Sequence, residues 1–200
     1  DTSKVTNMSN MFSYCHLLTS LDLSNFDTSN VTNMTHMFTN NNNLTAIDVS
    51  NFDTSKVTDM RNMFHHCEKV QVLDVSNFNT SNVTDMYAMF WQCTSLTSLN
   101  LSNFDISKVN SLGSLIGGCT NLTELNINNV NNINSSNIND DRLLFNDNKL
   151  SKLYCNDTTT LSYLMNTLCD RASATQGELV TTLELDDETT TNLTAKNWVV

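Results

Sequence analysis

One phrase recurs across this chain at a fixed interval, and that interval limits the fold more than any other feature. NFDTSNVTNMTHMF occupies 25–38, NFDTSKVTDMRNMF 51–64 and NFNTSNVTDMYAMF 77–90. DTSKVTNMSNMF opens the chain, and a weaker version, NFDISKVNSLGSLI, stands at 103–116. Phe26, Phe52, Phe78 and Phe104 mark the 26-residue interval. Eight of the nine Met and eight of the nine Phe fall in four slots of the phrase, so the repeat itself places the apolar residues. Such self-similarity predicts one elongated domain of stacked units rather than two globules. A lone unit buries too little to offset the ordering of its backbone, so neighbours must share the burial. The absence of proline fits, because proline would interrupt ladder or helix in every unit.

A second phrase lies within each unit: LTSLDLSNF (18–26), LTAIDVSNF (44–52), VQVLDVSNF (70–78), LTSLNLSNF (96–104) and LTELNINNV (122–130). In Leu21-Asp22-Leu23 the alternation turns the leucines inward and Asp22 outward, as a short strand requires. Asn25, Asn51, Asn77, Asn103 and Asn129 follow where the chain turns in. An amide there can satisfy backbone groups that no strand ladder reaches. The period then changes: Val31, Met34, Met37, Phe38 and Asn41 recur as on one face of a short helix, with Thr28 and Ser29 as candidate N-caps.

Beyond residue 130 the pattern loosens. An Asn-rich segment over 122–149, slightly longer than a repeat, leads to an expected sixth strand in LSKLYCND (150–157) and an expected helix over 159–173. VTTLELDD (180–187) reads as a seventh strand, and NLTAKNWVV as a tail covering the open end. The division is therefore 1–130, five repeats with the first truncated at its start, and 131–200, irregular repeats and a helical C-terminal cap. The chain opens in mid-phrase, which predicts a piece of something longer with its leader and anchor elsewhere.

The formal charge is −11, with ten Lys plus Arg and no basic run. Nucleic acid needs clustered cations for counterion release, so it is excluded as a partner, and anionic membrane surfaces are disfavoured likewise. No apolar run approaches the roughly 20 residues of a membrane span. Cys15, Cys67, Cys93 and Cys119 follow the repeat, with Asn41 in the slot of the second unit. Units packed through helical faces would hold these cysteines about 8–10 Å apart, too far for disulfides, so they are expected as buried thiols. Cys155 and Cys169 fall outside the pattern and could bridge.

The composite NFDTSNVTNMxxMFxxCxxLTSLDLS with its 26-residue period resembles the BspA-like leucine-rich repeats, the 26-residue repeat of bacterial surface proteins. The likeness is strong over 1–130 and weak over 131–187. It implies an α/β leucine-rich-repeat solenoid, right-handed, with a short strand and a short helix per coil. It also implies an extracellular or cell-surface adhesin recognising host matrix or surface proteins and glycoproteins, fibronectin and fibrinogen among them. The resemblance carries over no catalytic residues.

Three surfaces are candidates. Outward positions of the strands put Asp22, Asp48 and Asp74 in a column of like charges, which Ca²⁺ or a cationic ligand would relieve; hydroxyl neighbours and counterions could do the same. The edge where the expected helices end varies between units. Its residues include Tyr14, His36, Arg61, His65, His66, Tyr87 and Trp91, types that recur in binding hot spots. Rows of threonine (Thr2, Thr28, Thr54, Thr80 and Thr6, Thr32, Thr58, Thr84) could present an ice-binding array, although helix capping explains hydroxyls there more simply. No metal site is expected: the His65-His66-Cys67 run stands in one unit only. No nucleophile elbow or phosphate loop is present, so no enzyme is expected. The edge makes a protein-binding adhesin the leading expectation. A passive stalk displaying another module is the rival, and ice binding the remote one.

Overall fold

The computed structural model describes residues 1–128, 130, 149–157, 160–161, 177–195 and 198–199. Five strands form one parallel sheet in sequence order: β1 (Ser98–Asn100), β2 (Glu124–Asn126), β3 (Lys152–Tyr154), β4 (Gly177–Val180) and β5 (Trp198–Val199). Leu99, Leu125, Leu153 and Leu179 stand in register and are buried, while Ser98, Glu124 and Glu178 of the neighbouring register face outward. The sheet is the repeat-like α/β element that the alternation predicts. In the first three copies of the phrase the alternation also holds. Leu23, Ile47, Val49, Leu73 and Val75 are buried, and Asp22, Asp48 and Asp74 are exposed. Among the described residues, however, named strands begin only at β1.

The expected helix of each copy is not there. Residues 34–40 and their counterparts form consecutive turns, with Met37 N–H on Met34 O and Thr39 N–H on His36 O, both at 3.2 Å. Alternate N–H groups leave the copy altogether: Met34 donates to Asp59 O, His36 to Arg61 O, Phe38 to Met63 O and Asn40 to His65 O, at 2.8–3.0 Å. The same four bonds run from the first copy to the second, the third to the fourth and the fourth to the fifth. An α-helix would consume these donors internally. Turns closing three residues back reproduce the i, i+3, i+6 spacing of Val31, Met34 and Met37, which is why the pattern reads as helical. The geometry requires left-handed backbone twice per copy: Asn10 and Tyr14, His36 and Asn40, Asn62 and His66, Ala88 and Gln92, Ser114 and Gly118. Asn and Gly adopt it readily, the others at some strain.

Thr28 accordingly caps no helix. Its Oγ1 donates to Asp53 O at 3.0 Å and accepts Asp53 N–H at 2.8 Å, and Thr54 and Thr80 repeat the exchange with Asn79 and Asp105. The asparagine slot behaves as expected. Asn51 Nδ2 bonds Leu23 O and Phe26 O, Asn77 bonds Val49 O and Phe52 O, and Asn103 bonds Val75 O and Phe78 O, all at 2.9–3.0 Å. Asn129 lies outside the described residues. Inside, Phe12, Phe38, Phe64 and Phe90 stack with centroids 5.5–5.7 Å apart and planes within 8°.

Cys67, Cys93 and Cys119 are buried free thiols, and Cys15 is a half-buried one. Helix-sized separation is not the reason, since hydrogen-bonded segments lie only about 4.8 Å apart. Each buried Sγ donates instead to the carbonyl of the preceding copy: Cys67 to Phe38, Cys93 to Phe64 and Cys119 to Phe90, at 3.1–3.3 Å. Burial pushes the Cys67 thiol up to about 12, and it can be neither a ready nucleophile nor a thiolate ligand. Cys155 is also free, and Cys169 lies outside the described residues.

At the other end, β3 falls within the expected sixth strand, and β4 begins three residues before the expected seventh and overlaps it only at Val180. Thr160 and Leu161 are helical, and the rest of the helix expected over 159–173 lies outside the described residues. A helix that the periodicity did not announce, α1 (Asp187–Ala195), packs against β5. Asp186 is its N-cap, with Oδ1 accepting Thr189 N–H at 2.7 Å, and Asp187 and Glu188 occupy its first turn. No described helix is long and apolar enough to cross a membrane.

Candidate functional site

Three columns of Asx turns hold each copy in shape. In the first, Asn7, Asn33, Asp59 and Asp85 accept the N–H two residues on; in the second, Asp22, Asp48, Asp74 and Asn100 do so; in the third, Asp27, Asp53, Asn79 and Asp105. The lengths fall between 2.8 and 3.1 Å throughout. The second column is the candidate cation column. Hydrogen bonds from Ser24, Ser50 and Ser76 pull the three carboxyls below their ordinary range, and repulsion from Asp48 is the least of the influences on Asp74. Each carboxylate thus has a local structural role, and asparagine performs it equally well in the fourth copy. Among the described residues no group of three or more His, Cys, Asp or Glu is disposed to hold a metal ion.

The variable edge is a continuous strip carried by the turn ladder. His36 N–H bonds Arg61 O, Asn62 N–H bonds Tyr87 O, and His66 N–H bonds Trp91 O, so these side chains sit on adjoining copies. Arg61 is anchored twice. Its guanidinium grips Asp59 at 2.6–3.1 Å and reaches Asp85 at 3.4 Å in the next copy. Burial acts to raise the Asp59 carboxyl, but the hydrogen bonds from Arg61 and its charge outweigh it and the pKa falls. At Asp85 burial wins and the pKa rises. Burial and the Arg61 charge lower His36.

His65 and His66 meet edge to face, centroids 4.5 Å apart, and His66 Nδ1 lies 3.2 Å from Glu68. Burial, with His66 and His36 nearby, brings His65 down to about 4. Tyr14, 64 % exposed, stands at the outer end of the strip against His16. Tyr87 is 41 % exposed and Trp91 half-buried. All seven expected edge residues therefore lie on one strip, Tyr14 at its end and the other six within its second to fourth copies. Asp59 and Asp85, the anchors of Arg61, were not among the expected residues. The signal was the Asp-Met-Arg spacing, which sets an Asx carboxylate beside the guanidinium two residues on.

Further columns tie the copies. Asn30 Nδ2 bonds Ser3 O and its Oδ1 accepts Lys56 Nζ at 2.7 Å; Asn82 and Lys108 repeat this at 2.8 Å. The threonine array divides: Thr28, Thr54 and Thr80 are buried, and exposed Thr32, Thr58 and Thr84 spend their hydroxyls on the preceding copy's threonine carbonyl.

The parallel five-strand sheet with few helices is consistent with a repeat-like α/β fold. The family described as Mycoplasma protein of unknown function, DUF285, matches residues 1–72 and 66–179, and the chain belongs to it. No curated protein and no solved structure matches the chain.

Proposed function

We propose that the chain is a non-catalytic binding domain of a surface-displayed adhesin, a solenoid of the BspA-like leucine-rich-repeat kind. Its contact surface is the strip holding His36, Arg61, His65, His66, Tyr87 and Trp91, with Tyr14 at the end. One observation carries the reading. Around each of these residues the backbone bonds, Asx turns and buried slots recur from copy to copy, while the side chains that face outward change. Folding alone asks for no such change, since Ser9 and Thr35 fill the slot of Arg61 and Tyr87. An Arg held rigid between two carboxylates beside a tyrosine is preorganised for contact, because little side-chain entropy remains to lose. The partner class is a host matrix or surface glycoprotein. The rival stalk reading leaves the strip's variation without a role. The ice-binding reading is weakened by the burial of Thr28, Thr54 and Thr80, three of its eight threonines.

The test is equilibrium binding to immobilised fibronectin, fibrinogen and mucin, comparing the chain with a triple variant, Arg61→Ser, Tyr87→Ser and His66→Asn. Each replacement is the residue another copy carries in that slot, so the fold is kept. Saturable binding to one ligand, lost in the variant, supports the strip. Undiminished binding by the variant removes the strip from the reading, and no binding at micromolar concentrations favours the stalk.

A further inference from the structure

We propose that the variable strip binds an uncharged oligosaccharide, its sugar rings laid on Tyr87 and Trp91 and its hydroxyls taken up by the carboxamides of Asn40, Asn62 and Gln92. This rests on the strip being the contact surface and names the chemistry it takes. The three carboxamides are half-buried, stand on left-handed backbone (φ 54–59°) and make no side-chain hydrogen bond among the described residues. They lie on adjoining copies beside the other strip residues. Asn40 N–H bonds His65 O, Asn62 N–H bonds Tyr87 O, and Gln92 directly follows Trp91. Amides elsewhere in the array are engaged: those of Asn30, Asn43, Asn51, Asn82 and Asn121 each bond a carbonyl of the preceding copy. Asparagine suits left-handed backbone, so Asn40 and Asn62 also have a reason in the fold. Gln92 has none. A side chain at Gly118 would collide with its carboxamide, so the glycine of the next copy opens the place where that group lies.

A carboxamide offers a donor and an acceptor on one edge, which matches a pair of neighbouring sugar hydroxyls. An indole or phenol ring offers an apolar face for the C–H side of a pyranose and a polar tip at its rim. The strip carries both kinds of group and little that suits a purely apolar partner. Among the described residues of the second to fifth copies the large apolar side chains left exposed are Tyr87 and Val72, and Val72 belongs to the VQVLDVSNF segment. The charges exclude acidic sugars. Arg61 is held between Asp59 and Asp85, and Glu68 faces His66, so the strip's fixed charge is negative. Burial keeps His65 at about 4, neutral at physiological pH. A sialylated or sulfated end would set anion against carboxylate. Hydrogen-bonded copies lie about 4.8 Å apart, close to the length of one hexose unit, so an extended chain of sugars can meet successive copies.

The test offers the full chain immobilised oligosaccharides ending in galactose, mannose, glucose or N-acetylglucosamine, their sulfated forms, and fibronectin stripped of its glycans. Saturable binding to at least one uncharged sugar is expected, with the sulfated form of that sugar bound about tenfold more weakly or worse. Gln92→Gly takes the residue of Gly118 in that slot, so it removes the carboxamide and eases the left-handed backbone. Tyr87→Thr with Trp91→Thr takes the residues of Thr35 and Thr39. Each variant should lower sugar affinity by about tenfold or more, while the urea midpoint of Gln92→Gly stays at or above that of the parent. Binding to none of the uncharged sugars overturns the glycan assignment. If the stripped fibronectin is then still bound, and lost in the double variant, the strip stands as a contact surface for protein instead. Tighter binding of a sulfated form overturns the choice of an uncharged ligand, and sugar binding that both variants leave intact overturns the site.

Discussion

The side-chain amide of Asn41 lies 2.8 Å from the carbonyl oxygen of Phe12, in the place from which Cys67 reaches Phe38 O one copy further on. The lost cysteine of the second copy is thus compensated by the asparagine amide. The amide also bonds Phe38 O, while its Oδ1 is buried with no hydrogen-bond partner. Asn41→Cys should restore the thiol donor and remove the unsatisfied oxygen, raising stability by about 1 kcal/mol. Asn41→Asp buries a charge there and should lose about 3 kcal/mol or more. Urea unfolding of the two variants checks both signs.

The asparagine slot gives a paired prediction. Asn51→Ala strands Leu23 O and Phe26 O and should cost about 1–2 kcal/mol. Asn25→Ala should stay within about 0.5 kcal/mol, because no described copy lies ahead of it. Equal losses at the two positions would mean that propensity, and not the bonds between copies, sets the residue.

Acid should weaken the fold in two windows. His65 is depressed to about 4, against about 6.5 when unfolded, and His36 is shifted the same way. As pH falls from about 6.5 to about 4 the unfolded chain takes up the proton first, so stability is lost over that span and levels off below it. His65 is partly exposed, which limits its share to on the order of 1 kcal/mol. The lowered carboxyls of Asp22, Asp48, Asp53 and Asp59 act separately, withdrawing stability only below about 4. His65→Thr, the residue of Thr39 in that slot, should flatten the upper window when urea midpoints at pH 7.5 and 4.5 are compared.

Exchanging Asp22, Asp48 and Asp74 together for Asn should keep the Asx turns and leave the urea midpoint at pH 7 unchanged. Calcium should then shift the thermal midpoint of neither protein. A calcium-dependent rise seen only in the parent would restore the cation reading of this column.

Gly177 has no room for a side chain: a Cβ there would sit 2.7 Å from the Trp198 ring. Gly177→Ala should cost about 1–3 kcal/mol and shift Trp198 emission to the red as the indole leaves its site. Unchanged emission with full stability would contradict the packing of β4 on β5.

How much of this could be read in advance follows from what each slot bonds. The buried Phe and Met, the inward leucines and the asparagine ladder were legible, because burial and a side-chain donor at a fixed slot leave their mark on residue type. The turn ladder was not, because backbone bonds leave no such mark and its three-residue spacing imitates a helix. The edge was singled out by its variability alone. Asp59 and Asp85, which hold Arg61, were hidden because their slot already belongs to the Asx turns. The helix α1 was missed since its Thr-rich sequence has no apolar stripe, although the Asp186 cap was in view.

The alternation of Lys4, Asn30, Lys56, Asn82 and Lys108 bears on how such a chain can lengthen. Duplicating a single repeat keeps every buried slot in step yet sets lysine against lysine or asparagine against asparagine at this column. Growth or loss by pairs of repeats preserves it. Inherited length variants of the chain should therefore favour an even number of added or deleted units.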